Sequence, residues 1–273
     1  MSTVRAVPDI RWLEDEARQI RRRVIGMVHR AKGPHLGCSF SSADIVTALI
    51  LQVLRIDPQN PQWDVRDRFV LSKGHGVSSL YAALARRGFF PEKELERYMA
   101  DGSPLAGHVV LNCVPGAESS NGSGGHGLSL GIGLALAARH KQNGSRTFVL
   151  MGDGEMEEGS VWEGIAFAGF HAVKDLTLIV DCNKLQTLGA TKEIFDLEPL
   201  GEKFRCFRWD VDRIDGNNMK QVVEVLGREA PRPHAVLADT VKGKGVSYME
   251  GRFEYHSKAP DAEQYQIALV ELA

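Results

Sequence analysis

The chain has 273 residues, with 33 lysines and arginines against 35 aspartates and glutamates and a formal net charge of -2. That balance excludes the broad basic field of a nucleic-acid-binding surface, and the length suits one sizeable core, expected here as a single domain over 1–273. No apolar run reaches the length of a membrane span and the amino terminus MSTVRAVPDIRWLEDEARQIRRR is charged where a secretory leader needs an apolar centre, so a soluble cytoplasmic protein without a membrane partner is expected.

Asp9 is a candidate cap for a first helix, in which Ile10, Leu13, Ala17, Ile20, Val24 and Met27 keep helical spacing to about Ala31. Gly33-Pro34 ends it, and a loop carrying His35 leads into a strongly apolar helix from about Ser42 to Leu54. Arg68 to Ser72 reads as a short strand followed by Lys73-Gly74-His75-Gly76, then a helix from Ser78 to Arg87 stopped by Gly88. PEKELERYMA, from Pro91, reads as an ordinary helix. From Asp101 to His126 the composition shifts to Gly, Ser, Pro and Asn, a stretch too long for a simple connector. Gly122-Ser123-Gly124-Gly125-His126-Gly127 fits Gly-x-Gly-x-x-Gly, but no buried strand precedes it and no acid follows at the expected offset, which excludes a nicotinamide-binding turn.

Leu128 to Arg139 is a helix with a small-residue face comprising Gly131, Gly133, Ala135, Ala137 and Ala138. The segment that follows carries most of the chemistry. An apolar run, Thr147 to Met151, meets Gly152-Asp153-Gly154; an amphipathic helix opened by Glu155, Glu157 and Glu158 leads to a second apolar run, Leu176 to Val180, and then to Asp181-Cys182-Asn183-Lys184. A strand, helix and parallel strand of this kind lie side by side with both carboxyl ends on one edge, so Asp153 and Asn183 should face one site. The glycines permit close backbone approach, a following helix favours phosphate oxygens, and the carboxylate and amide oxygen suit an octahedral magnesium. The ligand expected is a diphosphate with its metal. The remaining elements are a helix around Leu200 to Phe204, a strand at Trp209 to Ile214, a helix from Asn218 to Gly227, the strand His234 to Asp239, and a Gly-interrupted loop from Lys242 to Gly251. Cys38, Cys113, Cys182 and Cys206 form no Cys-x-x-Cys pair, so spacing suggests neither a zinc site nor a disulfide framework.

Gly152-Asp153-Gly154 followed about thirty residues later by Asn183 resembles the thiamine-diphosphate motif. MGDGEMEEGSVWEG is similar to its transketolase version, and RDRFVLSKGHG, PGAESSNGSGGHGLSLGIGLALA and TVKGKGVSYMEGRFEYHSKAP complete the family series in order over nearly the whole chain. The resemblance is to the amino-terminal subunit of a split transketolase. It implies a mostly parallel, doubly wound α/β sheet with helices on both faces, the diphosphate-binding domain of the thiamine-diphosphate fold. It also implies thiamine diphosphate as cofactor, with Mg2+ (or Ca2+ or Mn2+) held by Asp153, Asn183 and the Leu185 carbonyl. Catalytic roles fall to His35, His75, His108 and His256, of which His75 and His256 also meet the cofactor. Cofactor contacts fall to Gly122, Ser123, Gly124, Gly154, Glu155, Asn183 and Thr187. Glu158 matches an interface carboxylate, and the small-residue helix lies near a subunit contact.

The family reaction breaks the bond beside a ketose phosphate carbonyl and passes a two-carbon ketol unit to an aldose, with the cofactor as electron sink. In the family, the glutamate that protonates the aminopyrimidine comes from a second, pyrimidine-binding domain, and no second α/β unit is visible here. The resemblance therefore implies a carboxy-terminal partner subunit in an α2β2 assembly. Three departures from the family pattern, at Pro34-His35-Leu36, Gly124 to His126 and Thr187, point to an alternative, a two-carbon transferase with a specialised or carrier-bound acceptor. A non-catalytic cofactor-binding module is a further alternative, against which the retained Asp153, Asn183 and four histidines stand.

Overall fold

The computed structural model describes residues 8–273, so residues 1–7 and their share of the 1–273 domain lie outside the described residues. Five strands, β1 (Arg68–Leu71), β2 (Thr147–Gly152), β3 (Leu176–Cys182), β4 (Asp210–Asp215) and β5 (His234–Asp239), form one parallel sheet in the order β1-β2-β3-β5-β4. Each expected strand is present within two residues of its sequence-read limits.

Side chains alternate along the strands, and each set finds its own helical layer. Phe148 and Leu150 of β2, Ile179 of β3 and Val236 of β5 join one core with α1 (Ile10–Ala31), α2 (Leu36–Ser41), α3 (Ala43–Ala48) and α4 (Val77–Arg87). Val149 and Met151, Leu178 and Val180, and Leu237 join the other, against α5 (Gly127–Lys141), α6 (Gly159–Phe170) and, beyond the short α7 (Thr191–Ile194), α8 (Leu200–Cys206). From β3 the chain passes over β5 to β4 and returns. The reversal moves α9 (Met219–Gly227) to the first layer, as right-handed crossovers require. The sheet is thus doubly wound. β4 lies at its margin, with Asp210, Asp212, Arg213 and Asp215 at partly or fully exposed positions.

Several elements follow from local chemistry. The Asp9 carboxylate accepts the Trp12 N–H at 3.1 Å and starts α1, whose Leu13, Ala17, Ile20 and Val24 are fully buried. Gly88, at φ 97°, closes α4 as expected. Other details differ. The helix expected from Ser42 starts at Ala43 as α3, and its last turn, Leu49–Val53, widens to a π-turn; the separate short α2 ahead of it, which follows His35 in a left-handed conformation at φ 71°, has no counterpart in the sequence reading. The PEKELERYMA segment is a 3₁₀ turn over Glu92–Arg97. A capped carboxy-terminal helix, α10 (Ala262–Glu271), packs on α1 and has no counterpart among the elements expected from sequence. The small residues of α5 do not share a face: a Cβ on Gly131 would lie 2.3 Å from Val149, whereas Gly133 looks into open space.

Candidate active site

The carboxyl ends of β1, β2, β3 and β5 open on one cleft of about 180 Å³. The pairing of Gly152 with Asp181 puts Asp153 beside Asn183, as two adjacent parallel strand ends must be. Both line the cleft, with Gly154, Leu185 and Thr187 next to them and Gly124, His75 and His256 across from them. His35 and His108 complete a histidine cluster behind this wall: the His35 ring centroid lies 5.4 Å from His75, 5.2 Å from His108 and 5.2 Å from His256. The His35 N–H donates to the His256 carbonyl at 2.8 Å, which ties the turn before α2 to the turn Phe253–His256. Gly122 lies against His108, where a Cβ would sit 3.3 Å from the ring; Ser123 is exposed and outside the cleft lining.

The acids after β2 are placed differently from the sequence expectation. Asp153–Glu157 form a 3₁₀ turn and α6 starts only at Gly159, so Glu155, Glu157 and Glu158 precede the helix. Glu155 is buried and fully engaged. Its Oε1 accepts the Ser72 hydroxyl at 2.6 Å and the Gly125 N–H at 3.0 Å, and its Oε2 accepts the Gly152 N–H at 2.9 Å. It therefore fastens the ends of β1 and β2 to the glycine-rich loop at the cleft wall. Gly125, at φ 78°, and Gly127, whose N–H donates to Ser72 Oγ at 3.2 Å, hold that loop in place.

Under the cleft lies an ion pair that sequence reading passed over. Lys73 is 1% exposed and its ammonium meets the fully buried Asp181 carboxylate. Ser41 Oγ (2.6 Å), Thr240 Oγ1 and Asn183 Nδ2 (3.3 Å) also donate to Asp181. Burial opposes the charge on both partners, but mutual attraction prevails, raising the Lys73 pKa and lowering that of Asp181. Lys242, also missed, donates to the Leu185 carbonyl at 2.8 Å and lies 3.4 Å from His256 Nδ1. Its pKa is lowered, chiefly by burial. Sequence signals existed for both lysines, one in the Ser-Lys-Gly-His turn and one in Lys-Gly-Lys-Gly, but nothing local marks a lysine as buried.

Electrostatics favour neutral imidazoles and a cation. Burial, then His256, His108 and Lys242, lower the His35 pKa to about 4; burial, then Lys242 and Lys73, lower His256 to about 4; burial and Lys73 push His75 well below 6.5. Burial and the nearby Asp181 raise the Asp153 pKa to about 6, even though the Lys184 N–H (2.6 Å) and the Gly154 N–H (3.0 Å) donate to its oxygens. An oxygen-lined pocket that strains against its own negative charge, with the Leu185 carbonyl already turned to an ammonium, fits a hard divalent cation. Two neighbouring ammonium groups and neutral imidazoles fit the anionic diphosphate beside it.

Known proteins resemble the chain over nearly all of its length. Residues 14–270 match the family described as transketolase, thiamine diphosphate binding domain. The chain is 38% identical over 267 residues to one of the subunits of the apulose-4-phosphate transketolase of Phocaeicola vulgatus, covering 97% of this chain and 95% of that one. It is 38% identical over 263 residues to a 6-deoxy-6-sulfo-D-fructose transketolase subunit of Clostridium sp., covering 95% and 96%. The transketolase of Campylobacter jejuni superposes with a TM-score of 0.90 at 28% identity, over 98% of this chain and 43% of that longer one.

Proposed function

Because the chain belongs to the transketolase family and is a transketolase-type enzyme subunit with a thiamine-diphosphate-binding fold, we propose that it supplies the diphosphate half of an active site completed by a separately encoded pyrimidine-binding subunit. The assembly is an α2β2 heterotetramer in the cytoplasm, and this chain contributes its described fold as one domain over 1–273. It moves a two-carbon ketol unit from a ketose phosphate to an aldose. The observation that carries the reading is the meeting of Asp153 and Asn183 at adjacent strand ends, in the cleft that His75 and His256 line. Relatives of matching length that are themselves named as single subunits of a transketolase support a partner, and no helix among the described residues is long and apolar enough to cross a membrane.

Asp153, Asn183 and the Leu185 carbonyl would hold Mg2+, and Lys242, which donates to that carbonyl here, would be available to the diphosphate. Thiamine diphosphate supplies an electron sink for the carbon bond that breaks. The residues of this chain do the rest. His75 and His256, held neutral by burial, offer N–H donors to developing alkoxide oxygens, and His35 and His108 extend that set behind the cleft wall. Gly124 and Thr187, which line the cleft, would contact the cofactor, with Gly122 and Ser123 on the same loop as Gly124, and the Gly154 N–H, now donated to Asp153, would serve phosphate. Glu155, which lines the cleft, braces the glycine-rich loop beside the cofactor.

Calorimetry tests the cofactor half: thiamine diphosphate should bind only with Mg2+ present, and Asp153→Ala should abolish uptake. Reconstitution tests the rest. Turnover should appear only on mixing with the partner subunit, and a chain active alone at the same rate would overturn the reading. A second reading, a specialised sugar donor or acceptor, is favoured by the names of the relatives, which carry apulose 4-phosphate and a sulfofructose. Comparison of such donors with xylulose phosphate on the reconstituted pair separates the two.

A further inference from the structure

The cleft contains a second set of metal-ligating atoms, chemically unlike the oxygen set at Asp153. Cys38, on the first turns of α2, comes together with His75 of the turn after β1 and His256 near the carboxyl end, and one ligand atom from each lies within 4.8 Å of the other two. The trio is built into the fold. Cys38 Sγ donates to the His35 carbonyl at 3.1 Å, the His35 N–H holds the His256 carbonyl at 2.8 Å, and the His75 and His256 rings are 5.2 Å apart. Cys38 is 2% exposed and lines the cleft together with both histidines.

We propose that Cys38, His75 and His256 form a site for a thiophilic divalent ion, zinc or a metal like it, that shares the cleft with the cofactor and excludes it. One sulfur and two imidazole nitrogens are the ligands that soft or borderline ions select, whereas the carboxylate, amide and carbonyl oxygens at Asp153 suit magnesium. Tetrahedral zinc, with Zn–S of about 2.3 Å and Zn–N of about 2.0 Å, places its ligand atoms about 3.5 Å apart. Side-chain rotations of about an ångström close the trio on the ion, leaving the fourth position to water. Binding forms one S–metal and two N–metal bonds and releases the thiol proton to solvent, with no change of oxidation state. Burial opposes the thiolate, but Lys73, whose ammonium donates to the Cys38 carbonyl at 2.9 Å, and Lys242 favour it. Lys242, 3.4 Å from His256 Nδ1, has to turn aside. No spacing in the sequence announces this site, because its ligands lie on three distant segments.

The trio itself stands on this geometry; its competition with the cofactor rests on the reading under Proposed function. Cobalt(II) titrated into the cofactor-free chain tests it without turnover. The expected result is one bound ion with a sulfur-to-cobalt charge-transfer band and intense tetrahedral visible bands, bleached by added zinc. Cys38→Ser should remove the charge-transfer band, and Cys206→Ser, at an exposed thiol, should keep it. Circular dichroism checks that Cys38→Ser is folded; if it is not, His256→Ala should weaken cobalt binding at least about tenfold. No band, a band that survives Cys38→Ser, or one lost in Cys206→Ser overturns the site. Thiamine diphosphate with excess Mg2+ should displace the cobalt, and a band indifferent to both overturns the shared cleft while leaving cofactor binding to be read separately by calorimetry.

Discussion

At Asp153 two requirements oppose each other. Its raised pKa, about 6 against 3.8 unfolded, means that the cation-free fold resists charging this carboxylate, so its contribution falls as pH rises from 3.8 to about 6 and is level above that. Asp153→Asn keeps the shape and removes the charge. The expected outcome is an unchanged or higher melting temperature together with Mg2+-dependent cofactor uptake weakened by roughly a hundredfold or more, read by calorimetry. The histidines act with the opposite sign. His35 and His256 have folded pKa values of about 4 against 6.5 unfolded, so between those values the unfolded chain binds more protons. Their contribution is complete above 6.5 and is lost as pH falls toward 4. Urea midpoints should drop across that window, and the drop should be smaller in His256→Ala.

Glu155 shows how one carboxylate joins elements that the chain keeps apart. In Glu155→Ala the Ser72 hydroxyl and the Gly125 and Gly152 N–H groups lose their acceptor, a destabilisation of about 2 kcal/mol or more by urea unfolding. Glu155→Gln should recover part of it, since the amide oxygen still accepts. Beneath it, Lys73→Met should cost about 3–5 kcal/mol, because Asp181 would remain buried without its cation. The elements themselves were largely legible in sequence. Strand and helix periodicity is local, and it located all five strands; the Asp153 and Asn183 pairing followed from the single crossover between β2 and β3. What escaped depends on distant partners. The short helix α2 follows a His35 turn held by the His256 carbonyl, the burial of Lys73 needs Asp181, and the strut at Glu155 needs the loop around Gly125. Four histidines could be matched by resemblance, but their clustering about His35 could not be read from spacing.

On the scale of the whole molecule, the described surface leaves apolar side chains on the outer helices. Leu130 of α5 and Phe167 of α6 are each 44% exposed, and Gly133 opens a gap in the same layer. If these surfaces receive the partner subunit, Leu130→Asp should block reconstitution of activity and shift the mixture to separate chains in light scattering. It should leave the melting temperature of the isolated chain within about a degree, because an exposed substitution changes stability little. Growth of the β-layer is a different matter. β4, at the rim, carries Asp210, Asp212, Arg213 and Asp215, and Arg213 is clamped to Asp239 at 2.8 Å and to Glu198 at 2.9 Å. A further strand docking there would strip water from this row of charges and gain no apolar cover in return. The charged row on β4 therefore ends the main-chain ladder at this edge.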